Sequence, residues 1–329
     1  MPTDLAEPLT LVCGTSDAYA MPTTVMLHSA IKNLEAGTSA EVWIIDHGMH
    51  PATKSRVLDC IGSLSRNVLV QVVDPPETQL KNLDSNAVSP VVFDRFGLTQ
   101  LLPVQTQRAI FLDSDLIVQG NLRDLWAMDF DGNAILAVQD FYFDKLEPRM
   151  RRLDDARADG IDPDTPYVNG GVLVCDLAHW RENDVESSLI RDLLQHAHGY
   201  GFPDQDATNI MMSDRIKLLP SEWNVQANAV DRTREATITK AAVNLSLRGW
   251  DQAKIIHYAG AIKPWSTMRV REPLGTAHKR FHLRLRETKW LKAGAYQRYI
   301  NGLRADWVWR HMRTGFDRRR TRRNRPNPS

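Results

Sequence analysis

The first 73 residues alternate between two hydrophobic patterns, and that alternation narrows the possible folds more than any other feature. Leu9 to Gly14 (LTLVCG), Ala40 to Asp46 (AEVWIID) and Val68 to Val73 (VLVQVV) are short apolar runs that read as strands. Between the first two, a segment from about Met21 carries Met21, Val25, Ile31 and Leu34 on a helical face, with Pro22 suited to a first turn. Pro51 to Ser63 reads as a second helix. Strands alternating with helices predict a mostly parallel sheet with helices on its faces. Ligands of such sheets gather at the carboxyl ends of the strands. Thr15-Ser16-Asp17 and Asp113-Ser114-Asp115 both fall at such ends.

The second of these stands inside RAIFLDSDLIVQGNLRDLW, Arg108 to Trp126. Ala109 to Leu112 precede the two carboxylates and Leu116 to Val118 follow them, the pattern of a buried strand. Unpaired carboxylates there are costly unless a cation neutralises them. A hard divalent ion such as Mg²⁺ or Mn²⁺, which takes oxygen ligands, is the economical partner. The triplet alone is weak evidence, because the chain holds four. Asp129/Asp131 (DFDGN) reads as a turn, Asp162/Asp164 (DPDTP) as a loop, and Asp204/Asp206 opens a helical pattern. Only Asp113/Asp115 interrupts a strand-like run.

Other stretches carry chemistry less directly. Asp74 to Pro90 has proline near both ends and reads as a surface loop or lid. Arg95, in VVFDRFGL, is expected at the start of a helix that packs near the metal site. Ala134 to Gln139 reads as a strand ending in Asp140, and Glu147 to Gly160 as a solvated helix or loop. In YVNGGVLVCD, Asn169-Gly170-Gly171 is either a close backbone approach to a ligand or a glycine bulge. Helices are expected over Asp184 to His198 and Asp204 to Met212, with Asp204 and Gln205 at the start of the second. Capping is the ordinary reason for an Asp there. Ala253 to Tyr258 reads as a strand ending in His257. Gly260 and Lys263 follow in a turn that can cradle phosphate.

The composition, 43% hydrophobic and 25% charged, is that of a soluble globular chain with no run long enough for a membrane span. Cys13, Cys60 and Cys175 lack metal-ligand spacing and read as buried free thiols in a reducing cytosol. The net charge of +1 hides an asymmetry: residues 279–329 carry 16 Lys and Arg against three acids, leaving the rest at −12. Aromatics, among them Phe281, Trp290, Tyr296, Tyr299, Trp307, Trp309 and Phe316, interleave with that basic charge. The alternatives are a helical extension that packs aromatics on the body and a peripheral anchor on an anionic, cytoplasmic membrane face. The final RRRTRRNRPNPS is expected to be disordered. A nucleic-acid arm has the same charge signature, but the body gives it no support and no nucleic acid is expected.

Five pieces in order resemble the retaining nucleotide-sugar glycosyltransferases that include glycogenin and the bacterial lipooligosaccharide galactosyltransferases, glycosyltransferase family 8. They are the strand followed by TSDAYA, FLDSDLIVQGNLRDLW, YVNGGVLVCDLAHW, PDQDATN and HYAGAIKPW. The resemblance implies an α/β GT-A fold, a Rossmann-like nucleotide-binding mixed sheet with flanking helices. The resemblance covers Leu9 to about Trp265; the GT-A domain is expected over residues 1–277 and a basic amphipathic extension with a disordered end over 278–329. It also implies that Asp113, Asp115 and His257 hold Mn²⁺ or Mg²⁺, bridging the diphosphate of a UDP-sugar. Gly14, Thr15, Ser16 and Tyr19 match residues that hold base and ribose. Arg95, Asp140, Asn169, Gly170, Asp204 and Gln205 match the sugar side; Ser114 belongs to the same donor site, and Gly260 and Lys263 match diphosphate contacts. One departure concerns the opening loop. The bacterial galactosyltransferases look like A-D-D-N-Y, with an Asp on the uracil, whereas this chain has Thr15-Ser16-Asp17-Ala18-Tyr19.

The activity implied is transfer of a hexose, galactose or glucose, from UDP-sugar to a hydroxyl of a glycan or lipid-linked acceptor, with retention. Lys263 and Arg95 would stabilise the departing UDP. Gln205 is a poor nucleophile, which favours front-face attack, with Asp204 as the alternative nucleophile. A non-catalytic nucleotide-sugar binder is the competing reading. A phosphotransferase or nucleotidyltransferase also uses paired Asp, but the chain has no P-loop.

Overall fold

The computed structural model describes residues 7–64, 67–82, 89–146, 160–228, 250–267, 270, 272, 274–292 and 294–303. Residues 83–88 of the expected Asp74–Pro90 lid, nearly all of Glu147–Gly160 and the end of the basic tail lie outside the described residues. A seven-stranded sheet forms the centre, in the order β3-β2-β1-β4-β7-β6-β8. Its strands are β1 (Leu9–Thr15), β2 (Ala40–Asp46), β3 (Val68–Val73), β4 (Arg108–Leu112), β6 (Ile135–Gln139), β7 (Val168–Asp176) and β8 (Ile216–Leu218). A second sheet has the order β5-β10-β9, from β5 (Leu116–Val118), β9 (Val225–Gln226) and β10 (Ile255–His257).

The helices include α1 (Ala20–Lys32), α2 (Pro51–Gly62), α3 (Leu98–Leu101), α4 (Leu122–Trp126), α5 (Leu177–Glu182), α6 (Val185–His196), α7 (Pro203–Met211) and α8 (Leu274–Glu287). Pro51 stands at the first position of α2, where the N–H it lacks would have no partner. Helix α1 is buried nearly all round rather than on one face, because α2, β5 and α8 all pack against it.

The expected βαβ alternation gives β3, β2, β1 and β4 in parallel. The sheet is mixed, because β7 runs antiparallel to both β4 and β6. This reversal positions the site. The β4–β7 register pairs Leu112 with Val172, so the next step sets Asp113 opposite Gly171, whose carbonyl accepts the Asp113 N–H at 2.9 Å. The chain then leaves the large sheet for the small one. There β10 pairs His257 with Leu116, and the Asp115 carbonyl accepts the Tyr258 N–H at 2.9 Å. The pair therefore does not interrupt one strand: Asp113 closes a strand of the first sheet and Asp115 opens a strand of the second.

Helix α8 begins before position 278 and runs through it. Its buried face (Leu274, Ala277, Phe281 and Leu285) belongs to the same apolar core as β1, α1 and β10, and Trp290, Tyr296 and Tyr299 pack against that core. Burying a phenylalanine is worth about 2 kcal/mol, so this stretch is held to the body. Trp307, Trp309 and Phe316 lie outside the described residues. Among the described residues, no helix is long and apolar enough to cross a membrane. All three cysteines are buried and free.

Candidate functional site

Three side chains distant in sequence converge where the two sheets meet. Asp113, Asp115 and His257 each offer one ligand atom, and these atoms lie within 4.8 Å of one another. Each carboxylate has one oxygen held by a cation. Arg95 Nη2 donates to Asp113 Oδ1 at 3.1 Å, and Lys263 Nζ donates to Asp115 Oδ2. The remaining oxygens face the imidazole: His257 Nε2 lies 3.3 Å from Asp115 Oδ1 and 3.9 Å from Asp113 Oδ2. Two carboxylate oxygens and one imidazole nitrogen form a donor set suited to a hard or borderline divalent ion, so these residues fit the expected metal.

The two carboxyls differ electrostatically. Burial raises Asp113 above the usual carboxylate range, and Arg95 offsets this only in part. Burial also works to raise Asp115, but His257 and Lys263 outweigh it and hold the group well below that range. The partners around Asp115 thus keep charge on a carboxylate that desolvation alone would neutralise.

Arg95 is almost fully buried in a 3₁₀ segment, Pro90–Gly97, rather than at the start of an α-helix. It sits over the Phe111 ring, donates from Nη1 to the Gly170 carbonyl at 2.9 Å, and pairs with Asp204 Oδ2 at 3.1 Å. A β-carbon at Gly170 would lie 2.0 Å from Arg95 Nη1, and one at Gly171 would lie 2.3 Å from His257 Cε1. The two glycines therefore let Arg95 and His257 approach the strand backbone, and they lie where the β6–β7 register shifts between Leu173 and Val168, so the stretch is also a bulge. Asp204 is not the N-cap of α7. Phe202 holds that position, Asp204 turns to Arg95, and Asp206 accepts the N–H groups of Gly201 and Phe202.

Beside the carboxylates lies a network of uncharged polar groups around Asp140. Asn169 Nδ2 donates to Asp140 Oδ2 at 3.0 Å and Gln205 Nε2 donates to the same oxygen at 3.2 Å. Gln205 Oε1 accepts the Gly170 N–H at 3.2 Å. Burial raises Asp140 despite these donors. On the other side, the opening loop reaches the pair through Ser114, whose hydroxyl donates to the Gly14 carbonyl. That commits the hydroxyl hydrogen of Ser114 and leaves its oxygen lone pairs and backbone for a ligand. Thr15 is likewise committed, its hydroxyl bonded to Thr23 at 2.7 Å. Ser16 is half-buried and Tyr19 is exposed, its ring edge-on to Trp265. Gly260 takes a left-handed φ of +85° in the turn that leads to Lys263.

Two of the other three Asp triplets behave as turns. Asp129 accepts the Asp131 N–H at 2.8 Å and Asp162 accepts the Asp164 N–H at 2.9 Å. The sequence motifs missed one contributor. Asn224 Oδ1 lies 2.9 Å from His257 Nδ1, and Asn224 Nδ2 donates to Asn169 Oδ1 at 2.9 Å. Its only sequence signal is a polar residue inside an otherwise apolar stretch, Trp223 to Val225.

The profile of Glycosyl transferase family 8 matches residues 10–269. General stress protein A of Bacillus subtilis is 22% identical over 265 residues, covering 79% of this chain and 88% of that protein. The lipopolysaccharide 1,2-glucosyltransferase of Escherichia coli is 26% identical over 181 residues, 54% of this chain, and the match spans only 49% of that enzyme. Among solved structures, the galactosyltransferase LgtC with donor and acceptor sugar analogues superposes with a TM-score of 0.65 at 20% identity, covering 87% of this chain and 98% of that one. The bifunctional glycosyltransferase WbbM superposes with a TM-score of 0.70 at 22% identity, covering 88% of this chain and 51% of that one. The mixed α/β architecture is therefore that of the GT-A glycosyltransferases, and the chain belongs to glycosyl transferase family 8.

Proposed function

We propose that this protein transfers a hexose, galactose or glucose, from a UDP-sugar to a hydroxyl of a glycan or lipid-linked acceptor, with retention at the anomeric carbon. One observation carries the reading: two carboxylates, each tethered by a cation through one oxygen, turn the other toward His257 Nε2. A divalent ion held by Asp113, Asp115 and His257, manganese or magnesium, would supply Lewis-acid neutralisation of the diphosphate.

The chain's own residues supply the rest. Lys263 and Arg95 offer fixed positive charge to the departing nucleotide, at no reorganisation cost when the sugar–phosphate bond breaks. Asp140, Asn169 and Gln205 present buried acceptors and donors suited to sugar hydroxyls. Gly14 and Ser16, with the Tyr19 ring, would take the base and ribose. Gln205 is an amide and Asp204 is bound to Arg95, so neither is a free carboxylate nucleophile. This supports front-face attack, in which an oxygen of the leaving phosphate accepts the acceptor's proton.

The experiment is a thermal-shift screen of nucleotide-sugars with and without Mn²⁺, followed by NMR of the product's anomeric centre. A UDP-hexose at a hundredfold excess over its Kd should stabilise the protein by about 2.7 kcal/mol, and only with the metal present. Product of inverted configuration, or phosphate transfer in place of sugar transfer, counts against the reading.

We further propose peripheral attachment to the cytoplasmic face of an anionic membrane through the basic C-terminal region. Phe281 and Leu285 are in the core, so the truncation that tests this must follow Leu303. Full-length protein should sediment with vesicles containing phosphatidylserine more than the truncated form does, and the difference should fall with salt. Equal sedimentation of the two rejects the anchor.

A further inference from the structure

None of the motifs that mark the site includes Trp223 to Asn228 (WNVQAN), yet this stretch buries an amide at every second position. Asn224 and Gln226 are 0% exposed and Asn228 is 6% exposed. Buried amides are unfavourable unless bonded, and apolar residues would serve packing better in so short a strand. Each amide here grips a different part of the site. Asn224 meets His257. Gln226 Oε1 accepts the Phe141 N–H at 3.2 Å, next to Asp140. Asn228 Nδ2 donates to the carbonyls of Ala259 and Ile262, in the turn before Lys263. Strand β9 runs parallel to β10 with Gln226 opposite His257, so its position is tied to the strand that carries the ligand.

The polarity of the Asn224 contact is fixed at two points. Asp140 Oδ2 accepts from Asn169 Nδ2. The Asn169 oxygen therefore points the other way, where it takes the Gly171 N–H at 3.0 Å as well as Asn224 Nδ2. Flipping either asparagine would set donor against donor or oxygen against oxygen. Asn224 is left with its oxygen toward His257 Nδ1, and an oxygen there requires that Nδ1 carry the hydrogen. The other ring nitrogen, Nε2, faces Asp113 and Asp115.

We propose that β9 is the positioning strand of the site and that Asn224 is its key residue: it holds His257 with the proton on Nδ1 and Nε2 turned to a divalent cation, through the relay Asp140–Asn169–Asn224–His257. The inference rests on the metal reading above for its purpose, but its geometry stands apart from that reading. It also links the candidate sugar side to the candidate metal side, so that a ligand shifting Asp140 or Asn169 would reorient the imidazole.

The test uses the full chain with Asn224→Leu, which keeps the volume and removes the acceptor, and Asn224→Asp, which keeps the acceptor. Mn²⁺ is titrated while the electron paramagnetic resonance signal of the free ion is followed, and circular dichroism melting checks the fold. Partners of this kind typically change metal affinity 10- to 100-fold, so Asn224→Leu should bind Mn²⁺ about that much more weakly. Asn224→Asp keeps an oxygen on His257 Nδ1 but sets its other oxygen against Asn169 Oδ1, so it should fall between Asn224→Leu and wild type, at most about tenfold weaker than wild type. A folded Asn224→Leu protein with wild-type affinity, or an Asn224→Asp protein more than about tenfold weaker, overturns the proposal. If Asn224→Leu does not fold, Asn224→Asp decides. Independently, ¹⁵N-histidine spectra of the metal-free protein at alkaline pH, with His257 assigned through His257→Gln, should show a proton on Nδ1 in wild type. A His257 ring protonated on Nε2 alone refutes the relay. Wild-type protein that takes up no Mn²⁺ would sink the metal reading, and the spectra would still decide the relay.

Discussion

Replacing Asp115 with asparagine should lower sugar transfer about a thousandfold, and His257→Ala should do the same. Metal and cationic stabilisation of a departing diphosphate is worth several kcal/mol, and each ~1.4 kcal/mol is tenfold in rate. Asp115 carries two parts of that stabilisation at once. Its Oδ1 faces His257 Nε2 at 3.3 Å and its Oδ2 holds Lys263. Asparagine keeps the shape but removes the charge that places the lysine, so metal affinity and lysine position should fail together. Asp131→Asn is the control, since Asp131 belongs to another Asp-x-Asp triplet, in an exposed turn paired with Lys217. Its rate should match wild type. Wild-type turnover in both Asp115→Asn and His257→Ala would reject the site, while equal losses in all three variants would point to general damage.

A second large effect should appear in acid, away from the carboxylates. The loop from Tyr258 to Thr267, which carries Lys263, is held by the C-terminal helix α8. His282 lies 2.9 Å from the Pro264 carbonyl, His278 lies 3.2 Å from the Thr267 carbonyl, and the Tyr258 hydroxyl donates to Ala277 at 2.6 Å. The ring nitrogens on the far side, His278 Nε2 and His282 Nδ1, are buried with no hydrogen-bond partner. Protonating either would bury an N–H cation without an acceptor. Burial accordingly pushes both groups down from the ordinary 6.5 to about 4.

Because the folded pKa lies below the unfolded one, the unfolded chain binds more protons between those values. The contribution is fully present above about pH 6.5 and is lost as pH falls toward 4. By pH 4.5 each histidine should have lost about 2 to 3 kcal/mol, roughly 5 for the pair. Buried carboxyls raised in the fold, such as Asp94, Asp140 and Glu186, titrate with the opposite sign, so the comparison must be made against a variant. His278→Asn with His282→Gln can keep both donations to the loop carbonyls while removing the titration. Denaturant unfolding between pH 7.5 and 4.5 should show wild type losing about 5 kcal/mol more than the double variant. Parallel loss in the two would exclude the histidines as the cause.

Much of the frame is legible from hydrophobic period alone. Ala40–Asp46 and Val68–Val73 are strands over the residues expected; the first is buried, as a mainly apolar parallel strand should be, and the second is the half-buried edge of the sheet. Asp129 and Asp162 are legible as turn residues, because Asp next to Gly or Pro bonds its own backbone. The strand break at Asp113–Asp115 was less legible. The apolar residues on both sides look like one strand, and only pairing partners reveal that they belong to two sheets. Asp204 looks like a cap by position, yet its partner is Arg95, more than a hundred residues earlier in the chain. Asn224 shows locally only as a polar residue between Trp223 and Val225, since an amide's role depends on which group stands across from it.

The sequence by itself determined that the chain would form an α/β sheet with polar residues at its strand ends, and it supplied two carboxylates, an imidazole and a lysine in a recognisable order. Those properties follow from side-chain chemistry and from periods of two and 3.6 residues, which are local. Only the tertiary structure decided that β7 reverses beside β4, that His257 falls opposite Leu116, and that α8 closes over the Lys263 loop. Register and packing are settled by burial between segments far apart in the chain, and there the direction of each hydrogen bond is set by its partner.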